Sequence, residues 1–325
     1  MKVIYKILQK TKRSIWTLFA IPVEIKNFGL VFAFKHAFYQ MILQWTESEG
    51  IYAQKHQLIL SYLESDFSDI VHEIREAKLT YVNQQSKKIW VFWYQGLDKA
   101  PKIVRKCREL LTHTYSNNYE IVELDGVNYR EYCKLPDFVE QKVKDGKISL
   151  TEFSDILRTK LLYENGGMWV DSTLLVQNKI DEKLLDLPFY TIRNQGIAPY
   201  CVSGLRLSTF YQYYKPNNNY VGFLSRLLLA YWERHDVLME YLLMDYFMIL
   251  IANNNTEFEI MLDKVPFTNP NVHTLRNRIN EEYSEEGWNN LVSDTHFFKM
   301  TYKMLMTEFN SFGNKTFYGH IINDL

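Results

Sequence analysis

The fold of this chain is decided by SDILR at residues 154–158 and ENGGMWVDST at residues 164–173. Apolar residues recur at helical spacing from 152 to 163, which predicts a helix with Arg158 and Lys160 on its polar flank. Asn165 and two glycines then end the helix, because glycine adopts the left-handed conformation without steric cost. Residues 168–170 are typical of a buried strand. Asp171 follows that strand at its carboxyl end, where ligand groups gather in open α/β sheets.

Asp155 and Arg158 lie three residues apart, so both project from one face of the predicted helix. Taken alone, such a pair is more often an exposed ion pair of little energetic worth. A Gly-Gly pair after a helix is likewise more often a simple stop. The ordered combination of ion pair, turn, strand and carboxylate favours a functional site.

The same stretch resembles the core motif of glycosyltransferase family 32 and of the related bacterial capsular polysaccharide synthesis proteins. In those proteins Ser-Asp-x-x-Arg precedes Tyr-Gly-Gly-x-(Tyr/Trp)-x-Asp-x-(Asp/Thr). Here Asn165 replaces the tyrosine, and Thr173 replaces the second aspartate of an Asp-x-Asp motif, a form often found in the capsular branch. The resemblance extends from about Lys88 to Val176. It implies the A-type glycosyltransferase fold, an α/β fold with a mostly parallel central sheet.

The resemblance also implies roles for single residues. Asp155 and Arg158 would grip the donor sugar, and Asp171 would hold Mn²⁺ or Mg²⁺ and complete the catalytic set. Thr173, a weaker ligand, would act through water or not bind the metal. The residues expected to contact the nucleotide-sugar, with a UDP-hexose favoured, are Trp93, Gln95, Gly96 and Gly167 together with Asp155 and Arg158.

A divalent cation suits the chemistry of such a reaction. The leaving diphosphate develops negative charge, which a cation at a strand end can neutralise. Mg²⁺ and Mn²⁺ prefer oxygen ligands, and Mg²⁺ is often held by one or two carboxylates and the substrate phosphates. Further candidates for the metal are Asp245, Asp294, His296 and His320, and candidates for the diphosphate are Lys299 and Lys303. Each of these residues alone is more often packed or solvated than functional.

The order of elements before this stretch predicts a nucleotide-binding sheet. A strand at 89–93, a helix from Pro101 to about 112 and a strand at 119–124 alternate in the manner of a parallel α/β sheet. We expect a short helix at 129–133, followed by a polar stretch at 136–146. The chain contains neither G-x-G-x-x-G after the first strand nor a P-loop motif, which fits an A-type glycosyltransferase.

The pattern beyond Val176 is looser. It predicts strands at 188–192 and within 201–214, helices at 220–235 and 237–252, and loops at 268–271 and 284–287. We therefore expect an N-terminal helical region at 1–85 and a catalytic domain at 86–325, with further helices on its C-terminal side.

The N-terminal segment is basic and aromatic, with no acidic residue before Glu24. Pro22 is expected to break its first helical run. Such a segment either lies on an anionic membrane surface or packs on the catalytic domain as an accessory layer, and the two are compatible.

Composition excludes several classes of protein. The 325 residues are 47% hydrophobic and 15% aromatic, and the net charge of -1 indicates no nucleic-acid partner. Cys107, Cys133 and Cys201 fit neither a zinc signature nor a disulfide framework, so we expect buried free thiols in a reducing compartment. We see no apolar run of membrane-spanning length and no signal peptide. These features predict a cytoplasmic protein, peripheral at the inner face of the plasma membrane, whose oligomeric state stays open.

The resemblance implies a retaining, metal-assisted hexosyltransferase. It would act on a capsular or other cell-surface polysaccharide, with a lipid-linked glycan as one acceptor. One alternative is a transferase that modifies protein side chains. Another is a non-catalytic scaffold of a polysaccharide assembly complex, in which Thr173 marks lost metal binding.

Overall fold

A computed structural model describes residues 2–194 and 198–325 of the chain. The α-helices are α1 (Lys2–Phe28), α2 (Leu30–Leu43), α3 (Glu49–Asp66), α4 (Ser68–Glu76), α5 (Lys102–Tyr115), α6 (Asp137–Lys144), α7 (Leu150–Asn165), α8 (Asn219–Arg234), α9 (Leu243–Asn253), α10 (Thr256–Asp263), α11 (Thr274–Arg278), α12 (Glu285–Val292) and α13 (Phe317–Asn323). The strands are β1 (Lys88–Phe92), β2 (Glu120–Leu124), β3 (Gly167–Val170), β4 (Leu174–Val176), β5 (Phe189–Thr191), β6 (Tyr211–Tyr214) and β7 (Phe297–Lys299).

The central sheet has the strand order β2-β1-β3-β6-β5. β1 pairs in parallel with both β2 and β3, and β6 pairs antiparallel with β3 and β5. Helices connect the parallel strands, as they must when two parallel neighbours follow each other in the chain. The prediction of an α/β protein with a sheet that is parallel at its centre is therefore confirmed, while its assignment to the A-type glycosyltransferase fold stays a prediction.

The second sheet is a single antiparallel pair. β4 follows β3 after three residues, and β7 pairs with it so that Leu174 lies opposite Lys299. Backbone hydrogen bonds continue this pairing past the strand, since the N–H of Met300 donates to the carbonyl of Thr173 at 2.9 Å. This pairing joins the C-terminal part of the chain to the end of β3.

One hydrophobic core runs through the described residues. It includes side chains from α3 and α4, from the central sheet and from α8 and α9. The boundary expected near residue 85 stays a prediction. Cys107, Cys133 and Cys201 are buried free thiols, as predicted.

α1 and α2 form a helical hairpin, and the expectation that Pro22 breaks the first helix is wrong. α1 continues through Pro22 to Phe28, and Gly29 makes the turn with a φ of 84°. The proline leaves the carbonyl of Leu18 without its helical donor. Leu18 is exposed, so water can satisfy that carbonyl.

A buried ion cluster fastens the hairpin to the rest of the molecule. His36 on α2 contacts Glu24 on α1 at 3.1 Å and Glu240 at 3.6 Å. Lys55 on α3 approaches Glu240 at 2.5 Å. Burial alone would lower the pKa of His36, but its hydrogen bonds to the two glutamates outweigh burial and raise the pKa above its ordinary value.

Within residues 2–194 and 198–325, no helix combines the length and the apolar character that a membrane span requires.

The polar stretch at 136–146 forms a helix, and three predicted elements differ from the structure. The segment 136–146 contains α6, whose first turn carries Asp137 and whose last turn carries Lys144, as the helix dipole favours. The loop expected at 284–287 is instead the start of α12, which Ser284 caps. The helix expected from 237 begins only at Leu243, because the hydroxyl of Tyr231 bonds the backbone of residues 237 and 239. The helix expected at 129–133 is a short 3-10 helix at 128–131.

Candidate active site

Asp171 lies where the sequence predicts it, directly after the carboxyl end of β3. The indole N–H of Trp169 donates to its Oδ1 at 2.8 Å. The backbone N–H of Asp171 donates to the carbonyl of Phe210 at 2.9 Å, next to the first residue of β6. These two bonds fix the carboxylate at the edge where β1 and β3 both end.

Lys299 meets the same carboxylate from the other sheet. Its Nζ lies 2.5 Å from Oδ2 of Asp171 and 2.9 Å from Oγ1 of Thr173. The ammonium also lies 5.2 Å from the centre of the Phe210 ring, a cation-π distance. Sequence spacing only suggested that Lys299 could face a diphosphate; its partners depend on the pairing of β4 with β7.

The Asp155–Arg158 pair forms on α7 as predicted, but Arg158 is not on a polar flank. Its side chain is 4% exposed, with Nη2 donating to Asp155 at 2.5 Å and Nη1 donating to the carbonyl of Thr209. The guanidinium lies 5.1 Å from the centre of the Trp169 ring. Its Nε is buried without a partner among the described residues. The guanidinium is thus held mainly by protein partners, and the unpaired Nε is a buried donor that no described residue satisfies.

α7 begins earlier than the apolar spacing suggests, at Leu150. Ser149 caps it by accepting from the N–H groups of Thr151 and Glu152, and the Glu152 side chain bonds back to the serine hydroxyl. This Ser-x-x-Glu pattern is a capping box, a sequence signal that could have located the helix start. The cap holds α7 in the register that aims Asp155 and Arg158 at β3.

The two carboxylates of the site have pKa values shifted in opposite directions. Burial raises the pKa of Asp155 to about 7, against the pull of Arg158, and Asp171 raises it further. Burial also acts on Asp171, but Lys299 and Arg158 outweigh it and hold the pKa of Asp171 below its ordinary value. Asp171 is therefore an anion near neutral pH, whereas Asp155, although paired with Arg158, is less acidic than an ordinary aspartate. This mixture suits the recognition of sugar hydroxyls beside a charged group.

Among the further metal candidates, Asp245 is the one whose charge acts on this cluster in the described part of the chain. It lies on α9, buried, and accepts from Cys201 Sγ at 3.2 Å and from Ser203 Oγ at 3.3 Å. Burial raises the pKa of Asp245 to about 6, and the negative charge of Asp245 in turn raises the pKa of Asp155. Beside Cys201 lies a cavity of about 400 Å³, whose lining includes His56 and Pro199.

The other candidates lie among different neighbours. His320 bonds Asp324 and stacks on Tyr283 near the C-terminal end. The His296 ring bonds the carbonyl of Lys179. Asp294 and Lys303 are exposed.

The residues expected to contact the nucleotide-sugar divide between the two ends of the sheet. Trp93 follows β1 at the same edge as Asp171 and makes an edge contact with Tyr302, with ring centres 5.3 Å apart. Gln95 is exposed in the next turn, and Gly96 forms it with a φ of 85°.

Gly167 lies at the other end, as the first residue of β3. A Cβ there would collide with the carbonyl oxygen of Lys88. This position corrects the expectation that Gly167 contacts the donor; its role is close packing of β3 against β1.

The donor set around Asp171 fits a divalent cation poorly. One carboxylate oxygen accepts from Trp169, and the other is paired with Lys299. Within residues 2–194 and 198–325 the structure has no group of three or more His, Cys, Asp or Glu side chains arranged to hold a metal. Thr173 supplies only a hydroxyl, which already accepts from Lys299.

Comparison with known proteins supports the capsular part of the resemblance, while the assignment to glycosyltransferase family 32 stays a prediction. A family model described as "Capsular polysaccharide synthesis protein" matches residues 40–321, from within α2 to within α13. No curated protein and no solved structure matches the chain.

Proposed function

Because the chain belongs to the capsular polysaccharide synthesis protein family, we propose that it is a glycosyltransferase of capsule biosynthesis. It transfers a hexose from a nucleotide-sugar donor, a UDP-hexose being favoured, to a capsular or other cell-surface polysaccharide. The family assigns the biosynthetic role. The finer assignment to hexosyl transfer depends on the chemistry of the site.

The observation that supports this assignment best is the cluster of Asp155, Arg158, Asp171 and Lys299 at one edge of the sheet. Two ion pairs, each made of one carboxylate and one cation, meet there. A nucleotide-sugar presents both hydroxyls and a diphosphate, and this cluster offers partners for each. Trp93 lies at the same edge and offers an aromatic surface to a base.

The reaction divides into tasks that these residues can perform. The bond between the anomeric carbon and the diphosphate oxygen breaks, and the electron pair stays on that oxygen. The acceptor oxygen bonds the anomeric carbon on the same face, and its proton passes to the departing diphosphate. Asp155 and Arg158 hold the sugar, and cationic groups stabilise the leaving charge. By this path an α-linked donor gives an α-linked product, and a β-linked product in the NMR spectrum would contradict it.

The acceptor is proposed to be a glycan on a lipid carrier, reached at the cytoplasmic face of the membrane. The hairpin of α1 and α2 supports this proposal because it exposes large apolar side chains beside basic ones. Trp16 and Phe19 are exposed on α1, and Phe34 is exposed on α2. Lys12 and Arg13 are exposed on α1 as well. An amphipathic basic surface of this kind favours an anionic bilayer.

Donor binding is the first test of this function. A ligand that binds only the folded state raises the melting temperature, so we expect one nucleotide-sugar in a panel to stabilise the protein. Asp171→Ala should remove that shift. Asp69→Ala is a matched control, because Asp69 is an exposed aspartate on α4. If no donor raises the melting temperature of the wild type, with or without an acceptor glycan, the transferase proposal fails and the scaffold alternative is favoured.

Transfer to glycan or to protein separates the two enzyme alternatives. The proposal expects label from the donor in a lipid-linked or polysaccharide fraction. Label in protein side chains would replace it with the protein-modifying alternative.

A further inference from the structure

We infer that the ammonium of Lys299 takes the place of a divalent cation in this site, so that the diphosphate of the donor is bound and released without a metal. This inference rests on the proposed function, because it names the group that receives the charge of the leaving diphosphate. It replaces the expectation that Asp171 and Thr173 hold Mn²⁺ or Mg²⁺.

The position of the ammonium supports the inference. A metal held by Asp171 and Thr173 would have to contact Oδ2 of the aspartate and the side-chain oxygen of residue 173. Lys299 Nζ contacts those same two atoms, at 2.5 Å and 2.9 Å. The lysine therefore lies where the cation would be, held there by the pairing of β4 with β7.

The charged side chains of the site balance one another without a metal. In an Asp-x-Asp motif, two carboxylates neutralise one divalent cation. Here the second carboxylate is replaced by the neutral Thr173, and one carboxylate neutralises one ammonium. Asp155 and Asp171 already pair with Arg158 and Lys299, so no protein carboxylate of the cluster is left to offset the two charges of Mn²⁺ before a diphosphate binds.

The ammonium retains a donor for the substrate. A lysine ammonium carries three N–H groups. Among the described residues two oxygens accept from it, those of Asp171 and Thr173. The third N–H is available to a phosphate oxygen. Asp171 and Thr173 thus position Lys299, and Lys299 is the residue that contacts the diphosphate.

The segment that follows β7 also contacts Trp93, the residue expected beside the base. Tyr302 lies three residues beyond Lys299 and packs its ring against Trp93. A nucleotide with its base near Trp93 and its diphosphate near Asp171 would therefore lie along residues 299–302. One segment of the chain contacts both halves of the predicted site.

In the reaction, Lys299 donates a hydrogen bond and is not consumed. As the anomeric carbon–oxygen bond breaks, the electron pair remains on the diphosphate oxygen, and the ammonium stabilises that charge. The acceptor's proton goes to the diphosphate, so Lys299 keeps its own proton throughout. Removing one preorganised donor of this kind costs about 100- to 1,000-fold in kcat.

The test is calorimetric titration with UDP, GDP, CDP and dTDP, in EDTA and in Mn²⁺, with turnover measured in parallel. We expect one nucleotide to bind the wild type equally well in both conditions. Lys299→Ala should weaken that binding at least tenfold, and Lys299→Arg should restore part of it. Lys264→Met is a control for general charge loss, because Lys264 is exposed beside α10.

A double variant makes the inference sharper. Thr173→Asp/Lys299→Ala restores a carboxylate pair and removes the ammonium, so its nucleotide binding should become dependent on Mn²⁺. If the wild type binds a nucleotide only with Mn²⁺ and loses turnover in EDTA, the inference is overturned while the transferase function stands. If no nucleotide binds in either condition, the proposed function and the inference both fail.

Discussion

At the residue scale, the site is organised by one carboxylate that faces three different partners. Asp171 accepts from the Trp169 indole and from the Lys299 ammonium, and Arg158 adds a second positive charge close by. Arg158 in turn is oriented by Asp155 and by its position over the Trp169 ring. Each side chain thus fixes its neighbour, which is the preorganisation that a transition state with changing charge requires.

Gly167 shows a second residue-scale constraint, and it gives a prediction about stability. Its φ of +94° disfavours any side chain, and a Cβ at this position would collide with the backbone carbonyl of Lys88. Gly167→Ala should lower the free energy of unfolding by about 3 kcal/mol or more, measured by urea denaturation.

Gly146→Ala is the matched control for this prediction. Gly146 also has a positive φ, of 71°, but a Cβ there would meet open space. The variant should lose about 1–2 kcal/mol. Equal losses in the two variants would show that the close approach of β3 to β1 does not matter.

The residues of the site could be predicted where they are close in sequence. The spacing of Asp155 and Arg158 on one helix, and the position of Asp171 after a strand, follow from local patterns. The burial of Arg158 does not, because it depends on Thr209 and Trp169, which belong to other elements. Local spacing reports which side chains share a face but not what covers that face.

At the element scale, the pairing of β4 with β7 completes the site. Both strands are short, and β7 lies far beyond β4 in the chain, at Phe297–Lys299 against Leu174–Val176. Short strands with distant partners have no local signal in the sequence. Lys299 was for this reason only one of several weak candidates, although the pairing places it on Asp171.

The α1–α2 hairpin is the second element with a distinct role, and it gives a prediction about membranes. Full-length protein should bind vesicles of phosphatidylcholine with phosphatidylglycerol more tightly than vesicles of phosphatidylcholine alone. Lys12→Ala and Arg13→Ala should each weaken this binding by about 1 kcal/mol, and added salt should weaken it further. Co-sedimentation at increasing lipid concentration measures the effect.

A matched pair of aromatic substitutions controls for surface hydrophobicity. Phe19 on α1 is 72% exposed, and Phe312 in the C-terminal region is 86% exposed. Phe19→Ser should reduce vesicle binding, and Phe312→Ser should leave it unchanged. Equal binding to both vesicle types, or concentration-dependent self-association through the hairpin in the absence of lipid, would contradict the membrane proposal.

At the scale of the whole molecule, the order of strands and helices predicted from the sequence is confirmed from β1 to β3, although α6 and the following strand β4 are not part of that prediction. Alternating strands and helices in that region are neighbours in space as well as in sequence, so local patterns suffice. Beyond Val176 the chain returns to the sheet with β6 antiparallel to β3, and it packs α8 and α9 on the N-terminal helices. Those contacts join distant segments, and a single sequence does not display them.

The whole molecule combines three features that the proposed transferase would use. The sheet places a charged cluster at the ends of its parallel strands, a short second sheet supplies Lys299, and the hairpin offers an amphipathic surface. Together with the family match over residues 40–321, this arrangement supports the proposed transfer of a sugar to a surface glycan. The central claim of the proposed function is that the cluster around Asp171 performs the transfer.

The measurement that tests this claim most directly is release of nucleoside diphosphate from the donor that binds, in the presence of the glycan acceptor. We predict that the wild type releases it and that Asp171→Asn lowers kcat/KM at least about 100-fold, with a melting temperature close to that of the wild type. Turnover by folded Asp171→Asn at the wild-type rate, or no turnover by the wild type with any donor and acceptor, would contradict the account.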